Sequence, residues 1–259
     1  MFLDTDIWNV TSGPDPEGQR TRINATDLDR TIAWKAQFEA TLNPGSVFIM
    51  ETGINGNGNM DYVGDINTNA AEACPSSLNV DDPISPNQNL EWIKPLGTGV
   101  NSWPTPVQYN WSLSCILMDP LAEYFQNKNN LNAFAWISHT FTHEDLENST
   151  YYDTTLEMSY NYEHAKNLGI ANANMWSNRS FIPPGITGMH NGDALRAFMD
   201  NGILAGVGDS TRPALLNPEN VNWPLTTTVE ANGYAGFLII PRWATRIYYN
   251  VYGSPVFKI

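Results

Sequence analysis

The segment Ser138-His139-Thr140-Phe141-Thr142-His143-Glu144-Asp145 places two imidazoles four residues apart directly after an apolar run. The chain holds 4 histidines, so half of them fall in this one segment. If the backbone turns helically there, both rings face the same way and can share one ion. A surface helix carrying the same spacing without a metal is the alternative. Near the start, Phe2-Leu3-Asp4-Thr5-Asp6 sets two carboxylates two residues apart, on one face at strand period. Burying two like charges together is costly unless a cation or a proton separates them. A solvated turn or an Asx cap is the competing reading of Asp4 and Asp6. One Asp with two His makes a mixed nitrogen and oxygen donor set with positions open to water, the pattern of catalytic zinc sites.

Such residues need a scaffold that brings them together from distant positions. Apolar runs at residues 1–3, 47–50, 133–137, 203–207 and 237–240 are each followed by polar residues. They read as parallel strands whose C-terminal ends carry the site. Helical patterns cover residues 27–42, 119–127, 153–168 and 192–201. Asn43-Pro44-Gly45 stops the first, Asp119-Pro120 opens the second, and Gly169 and Gly202 end the last two. The chain is expected to form one domain over residues 1–259, with a loop-rich insertion at about 53–111 that is dense in Gly, Asn, Pro and Trp. Within it, Trp92, Trp103 and Trp111 are candidates for stacking on sugar rings, with plain packing as the alternative.

Composition narrows the function classes. With 27 acidic against 13 basic residues the net charge is -14, which leaves no basic stripe for nucleic acid. An acidic surface tolerates or attracts a cationic polymer, or simply aids solubility, the plainer reading. Apolar residues at 42% and charged residues at 15% fit a folded domain. No apolar run of about 18 residues exists to span a membrane, and no signal peptide opens the sequence. Both ends stop abruptly, as an excised domain would. Asn-x-Ser/Thr sequons at Asn9, Asn24, Asn110, Asn148 and Asn178 lean towards a secretory history. Cys74 and Cys115 form either one disulfide or two buried thiols. The expected oligomeric state is a monomer.

The order Asp4-Thr5-Asp6, His139-Thr140-Phe141-Thr142-His143, Phe181-Ile182-Pro183-Pro184-Gly185 and Gly208-Asp209-Ser210 resembles the polysaccharide deacetylase superfamily. It is most similar to fungal galactosaminogalactan deacetylases and to bacterial relatives acting on Pel polysaccharide. The resemblance implies an α/β fold, a distorted (β/α) barrel of about seven strands, with a truncated form of it as the alternative. It implies Asp4 as catalytic base, with Asp6, His139 and His143 as metal ligands, the roles of Asp4 and Asp6 being exchangeable. The metal implied is Zn2+, or another divalent ion such as Co2+ or Ni2+. Asp209 matches the aspartate that supports the base, with a turn residue after the strand as the alternative, and Arg212 is a substitute for the arginine whose usual position Ile182 occupies. The general-acid motif has no clear counterpart, which leaves His190 as the candidate acid, whereas His164 lies in a helix and reads as structural. The implied activity is removal of N-acetyl groups from an extracellular amino-sugar polysaccharide by a secreted or wall-associated enzyme. A non-catalytic carbohydrate-binding domain and an O-acetyl esterase are the rival readings.

Overall fold

The computed structural model describes residues 2–3, 22–66, 74–80, 92–105 and 107–243. In chain order the strands are β1 (Phe2–Leu3), β2 (Glu51–Ile54), β3 (Ala135–Ser138), β4 (Trp176–Phe181), β5 (Ala205–Val207), β6 (Leu225–Thr226) and β7 (Leu238–Ile240). The helices are α1 (Ala25–Glu39), α2 (Gly56–Ile66), α3 (Leu113–Ile116), α4 (Pro120–Tyr124), α5 (Lys128–Asn132), α6 (Tyr151–Asn167), α7 (Gly192–Asp200) and α8 (Val229–Asn232). The strands form one sheet in the order β1-β2-β3-β4-β5-β7-β6. All pairings are parallel except that of β6 with β7. Parallel neighbours need long crossovers, and the helices supply them. The mixed α/β reading therefore holds. Barrel closure does not appear among the described residues, where the ladder runs open from β1 to β6.

Local sequence explains most boundaries. Asn24 caps α1 by accepting from Thr26 N–H and Asp27 N–H, and Asp27 returns a bond to the Asn24 backbone. Asp119 caps α4 ahead of Pro120. Thr150 caps α6 through Asp153 N–H, and Gly169, with φ of +79°, follows its end. Two expectations fail. Residues 47–50 are not a strand: Val47 is 77% exposed, and the strand is the next segment, Glu51–Ile54, which pairs on both edges. Residues 56–66, inside the expected insertion, are helical despite their Gly and Asn content. Tertiary contacts override propensity there. A Cβ on Gly56 would come within 2.6 Å of the Phe141 ring, so only glycine lets α2 approach it. Asn57 pairs with both backbone groups of Leu78, at 2.8 and 3.0 Å.

One core cluster packs α1 to α4 and α6 against β2 and β3, and a second packs α7 against β4 and β7. Trp103 (2% exposed) and Trp111 (4% exposed) belong to the first, beside Phe141 and Tyr160. They are packing residues, not a sugar platform, because their indoles are needed to fill the core. Cys74 and Cys115 form a disulfide with Cα atoms 5.6 Å apart, which resolves the two readings of that pair.

Residues 92–105 are fastened over the C-terminal ends of the strands. Lys94 is buried, its ammonium 2.7 Å from the Asp193 carboxylate, and its backbone N–H donates to His190 O at 3.1 Å. The same carboxylate oxygen accepts from Gly97 N–H at 2.7 Å. Removing one partner strands a buried charge, which costs about 3–5 kcal/mol. Lys94→Met should therefore lower the melting temperature steeply in calorimetry, and Lys94→Met with Asp193→Leu should lower it less. If both melt alike, the charge pair is not what fixes the segment.

Candidate active site

β3 delivers His139 to the C-terminal edge of the sheet. Its backbone N–H donates to Ile54 O at 2.9 Å, and its side-chain Nδ1 lies 2.8 Å from Ile182 O. A carbonyl only accepts, so Nδ1 carries the proton and Nε2 offers the lone pair. The His143 ring stands 4.9 Å away, centroid to centroid, at 77°. Two nitrogens bound to one zinc-sized ion sit about 3.4 Å apart in a tetrahedral shell, a separation compatible with rings this close.

The rings are not brought together by a helix. The turn between them is irregular, with Thr140 at φ of 65° and His143 at φ of 68°. Among the described residues, the only other non-glycine with positive φ is Ile186, at 60°, in the segment that follows β4. Such left-handed placements, worst for branched Thr and Ile, cost about 1–3 kcal/mol each and persist only where surroundings enforce them. Thr140 and His143 lie in the histidine segment picked out from sequence, and Ile186 comes directly after the other, Phe181–Gly185.

The enforcing group on the first segment is Glu157, which sequence reading overlooked. It is fully buried on α6 and accepts Phe141 N–H at 2.7 Å, Thr142 N–H at 2.8 Å, Trp103 Nε1–H at 3.0 Å and the Thr142 hydroxyl. Burial pushes its carboxyl above the usual range, against these four donors, which favour the anion. Its neighbours along the same helix face behave alike. Asp153 accepts Ser102 N–H at 2.8 Å and Trp103 N–H at 3.3 Å. Asn161 accepts Gly56 N–H at 2.9 Å and donates to Ile54 O and to Ser138 Oγ. His164 bridges Tyr109 Oη at 2.9 Å and Asn59 Oδ1 at 3.1 Å, and burial lowers its pKa to about 3, so it stays neutral. The structural reading of His164 fits this. The spacing 153, 157, 161, 164 is one helix face, so a polar stripe at helical period was the available signal.

The remaining candidates follow the C-terminal ends of β4 and β5. Ile182 is buried, and its backbone carbonyl, not its side chain, orients His139. His190 is buried in the turn before α7, whose cap Asn191 donates to Leu146 O and Ser149 O, just past His143. Asp209 follows β5. Its Oδ1 accepts from Thr211 N–H at 2.7 Å and the Thr211 hydroxyl at 2.6 Å, and Arg242 approaches Oδ2 at 3.7 Å. Partial burial would raise this carboxyl, but the Thr211 bonds with Arg242 and Arg212 outweigh it and hold it below the usual range. Arg212 donates to Gly185 O at 2.8 Å and Ile186 O at 3.0 Å, pinning the strained turn, and reaches Glu147 at 3.5 Å. Burial, with Asp145 nearby, pushes Glu147 up to about 7 against Arg212. Asp4 and Asp6 lie outside the described residues. Among those described, no three His, Cys, Asp or Glu residues group as a metal cluster.

Two outcomes are expected. Glu157→Gln places an amide donor among donors, a mismatch costing about 1–3 kcal/mol, and should speed amide exchange at Phe141 and Thr142. Asp153→Asn, on the same face, should lower the melting temperature while leaving those two amides protected; equal acceleration in both variants would refute a local grip. Glu147 binds its proton more tightly folded than unfolded, where its pKa is 4.5. Its stabilising contribution is thus complete below pH 4.5 and is lost as pH rises towards 7. Thermal melts of the metal-free protein across that window should decline less steeply in Glu147→Gln than in the wild type.

Comparisons with known proteins agree with the family resemblance. The family model of the Agd3 deacetylase domain matches residues 1–255. A solved crystal structure described as Agd3, a novel carbohydrate deacetylase, is 43% identical with a TM-score of 0.87, over 96% of this chain. The chain spans 37% of that protein's solved length. No curated protein matches. With the family model spanning nearly all of the sequence and the fold shared at that identity, the chain belongs to the Agd3 deacetylase domain family.

Proposed function

We propose that residues 1–259 form the catalytic domain of a secreted, metal-dependent hydrolase that removes N-acetyl groups from an amino-sugar polysaccharide. The observation that carries this reading is the convergence of the His139 and His143 rings on a strained turn at the end of β3, in a chain of this family. The Cys74–Cys115 disulfide favours an oxidising compartment, and the sequon residues Asn24, Asn110, Asn148 and Asn178 are exposed where a glycan would find room.

The donors present fit a divalent cation. The Nδ1–H to Ile182 O bond leaves Nε2 of His139 as a coordinating atom of fixed orientation, as second-shell carbonyls do for metal-binding histidines. His143 would supply the second nitrogen and Asp6 an oxygen. Such a cation, when bound, supplies Lewis acidity, lowering the pKa of water towards 7 and polarising the acetyl carbonyl. Asp4 takes the proton as water attacks the acetamide carbon. His190 gives a proton to the departing amine, so the C–N bond breaks into acetate and an amino sugar. Ile182 O and Glu157 hold the histidine turn in place throughout.

Acetate release from N-acetylated hexosamine oligomers, with and without chelator, tests the reading. Chelation should abolish release and metal should restore it. His139→Ala and His143→Ala should each lose metal and turnover, since two remaining ligands seldom hold an ion. Asp4→Asn should keep metal and lose turnover; the converse pattern with Asp6→Asn would exchange their roles. Release from acetylated xylan alone would make the protein an O-acetyl esterase. Binding without release would make it a carbohydrate-binding domain.

A further inference from the structure

Two of the described tryptophans stand well out in solvent, Trp223 at 54% and Trp243 at 64% exposure. The others described are buried or half-buried. Topology puts both at the edge of the sheet where the candidate site lies. β7 leaves the sheet at Ile240, and Trp243 comes three residues later, on the C-terminal side of the parallel strands. β6 runs antiparallel to it, with Leu225 opposite Ile239, so the turn that precedes β6 and carries Trp223 lies at that same end. Val221 (41% exposed) and Ile240 (36% exposed) stand in the same two segments.

Both indoles rise from backbone that is already fixed. Asn217 accepts from Glu219 N–H at 2.9 Å and Asn220 N–H at 3.3 Å, and donates to Pro224 O at 2.9 Å. Trp223 N–H donates to Asn220 O at 2.9 Å, which completes the turn. Arg242, next to Trp243, accepts from Ser210 N–H at 2.8 Å and places its guanidinium 3.7 Å from Asp209. Trp243 is thereby tied to the loop that follows β5, one residue from a candidate site aspartate. A single exposed apolar residue is ordinary. Two exposed indoles on hydrogen-bonded backbone at one end of the sheet, with Asn217, Asn220 and Asn222 beside the first, match a ligand with apolar ring faces and hydroxyl edges.

We propose that Trp223 and Trp243 form an aromatic subsite that stacks on pyranose rings of the polymer beside the residue being deacetylated. This deepens the proposed function and rests on it for the identity of the reaction. The subsite favours long substrates, because β7 lies three strands from β3, about 14 Å at the usual strand spacing and farther than one pyranose ring spans. It adds ground-state binding remote from the reacting bond, so its loss raises KM for oligomers more than it lowers kcat.

The test compares Trp223→Ala, Trp243→Ala and the double variant with the wild type, using an N-acetylhexosamine hexamer and a small aryl acetate. The ratio of kcat/KM for the hexamer to that for the aryl acetate should fall about three- to tenfold per substitution, chiefly through KM. Trp→Phe at each position should recover most of it. An unchanged ratio overturns the subsite, and so does a loss equal on both substrates. If neither substrate is turned over, the proposed reaction fails while the subsite is still read by calorimetric titration with the hexamer. There, weaker binding in the alanine variants supports it and equal binding overturns it. A wild-type dimer in sedimentation that the double variant dissolves would assign the patch to a second copy and overturn the proposal.

Discussion

Burying a carboxylate among uncharged groups is costly unless hydrogen-bond donors replace the lost water. α6 meets this demand twice on one face, at Asp153 and Glu157, and continues it with Asn161 and His164. In each case the partner belongs to a different segment: 102–103, 141–142, 54–56 and 138, then Tyr109 with Asn59. The donors that satisfy Asp153 and Glu157 are thus mostly backbone N–H groups of the loops around the candidate site. Neither side can be removed without leaving the other unsatisfied, so the helix and the loops are fixed together.

That reciprocity accounts for the strain at Thr140 and His143. A left-handed Thr would relax in an isolated turn, but here relaxation would withdraw the Phe141 and Thr142 amides from Glu157. The same logic holds across the rim, where Arg212 grips the carbonyls of Gly185 and Ile186 and so sustains the unfavourable φ at Ile186. On both sides a strained turn is held by a side chain from another segment that binds main-chain groups. The Lys94–Asp193 pair ends the series by fastening residues 92–105 to the turn that carries His190.

Much of the frame was readable from residues alone, because it follows from local chemistry. Asn43-Pro44-Gly45, Asp119-Pro120, Gly169 and Gly202 mark helix limits through capping and left-handed φ, properties that neighbours do not change. The histidine pair was readable from its spacing, though the expected helical turn is an irregular one, since Glu157 is 14 to 18 residues away in sequence and its pull cannot be inferred from the segment itself. α2 was hidden because Gly56 and Asn57 argue for loop until Phe141 and Leu78 are in place. β4, with Asn178 and Arg179 exposed within it, lacks the apolar run that marked the other strands and shifts register against β3 between Ile137 and Ser138. The tryptophans misled for a related reason: an indole's burial depends on partners distant in sequence, so Trp103 and Trp111 went inside while Trp223 and Trp243, unremarked, stayed out.

Asp153, Glu157 and Asn161 grip peptide groups rather than loop side chains, apart from Thr142, Trp103 and Ser138. A peptide N–H is present at any position except proline, so most residues on these loops are free to mutate without loosening their anchorage. Variation in what the rim presents to solvent is thereby uncoupled from the geometry beneath it. A lineage built on this helix can change what its rim presents by exchanging loop residues, while the histidines keep their spacing.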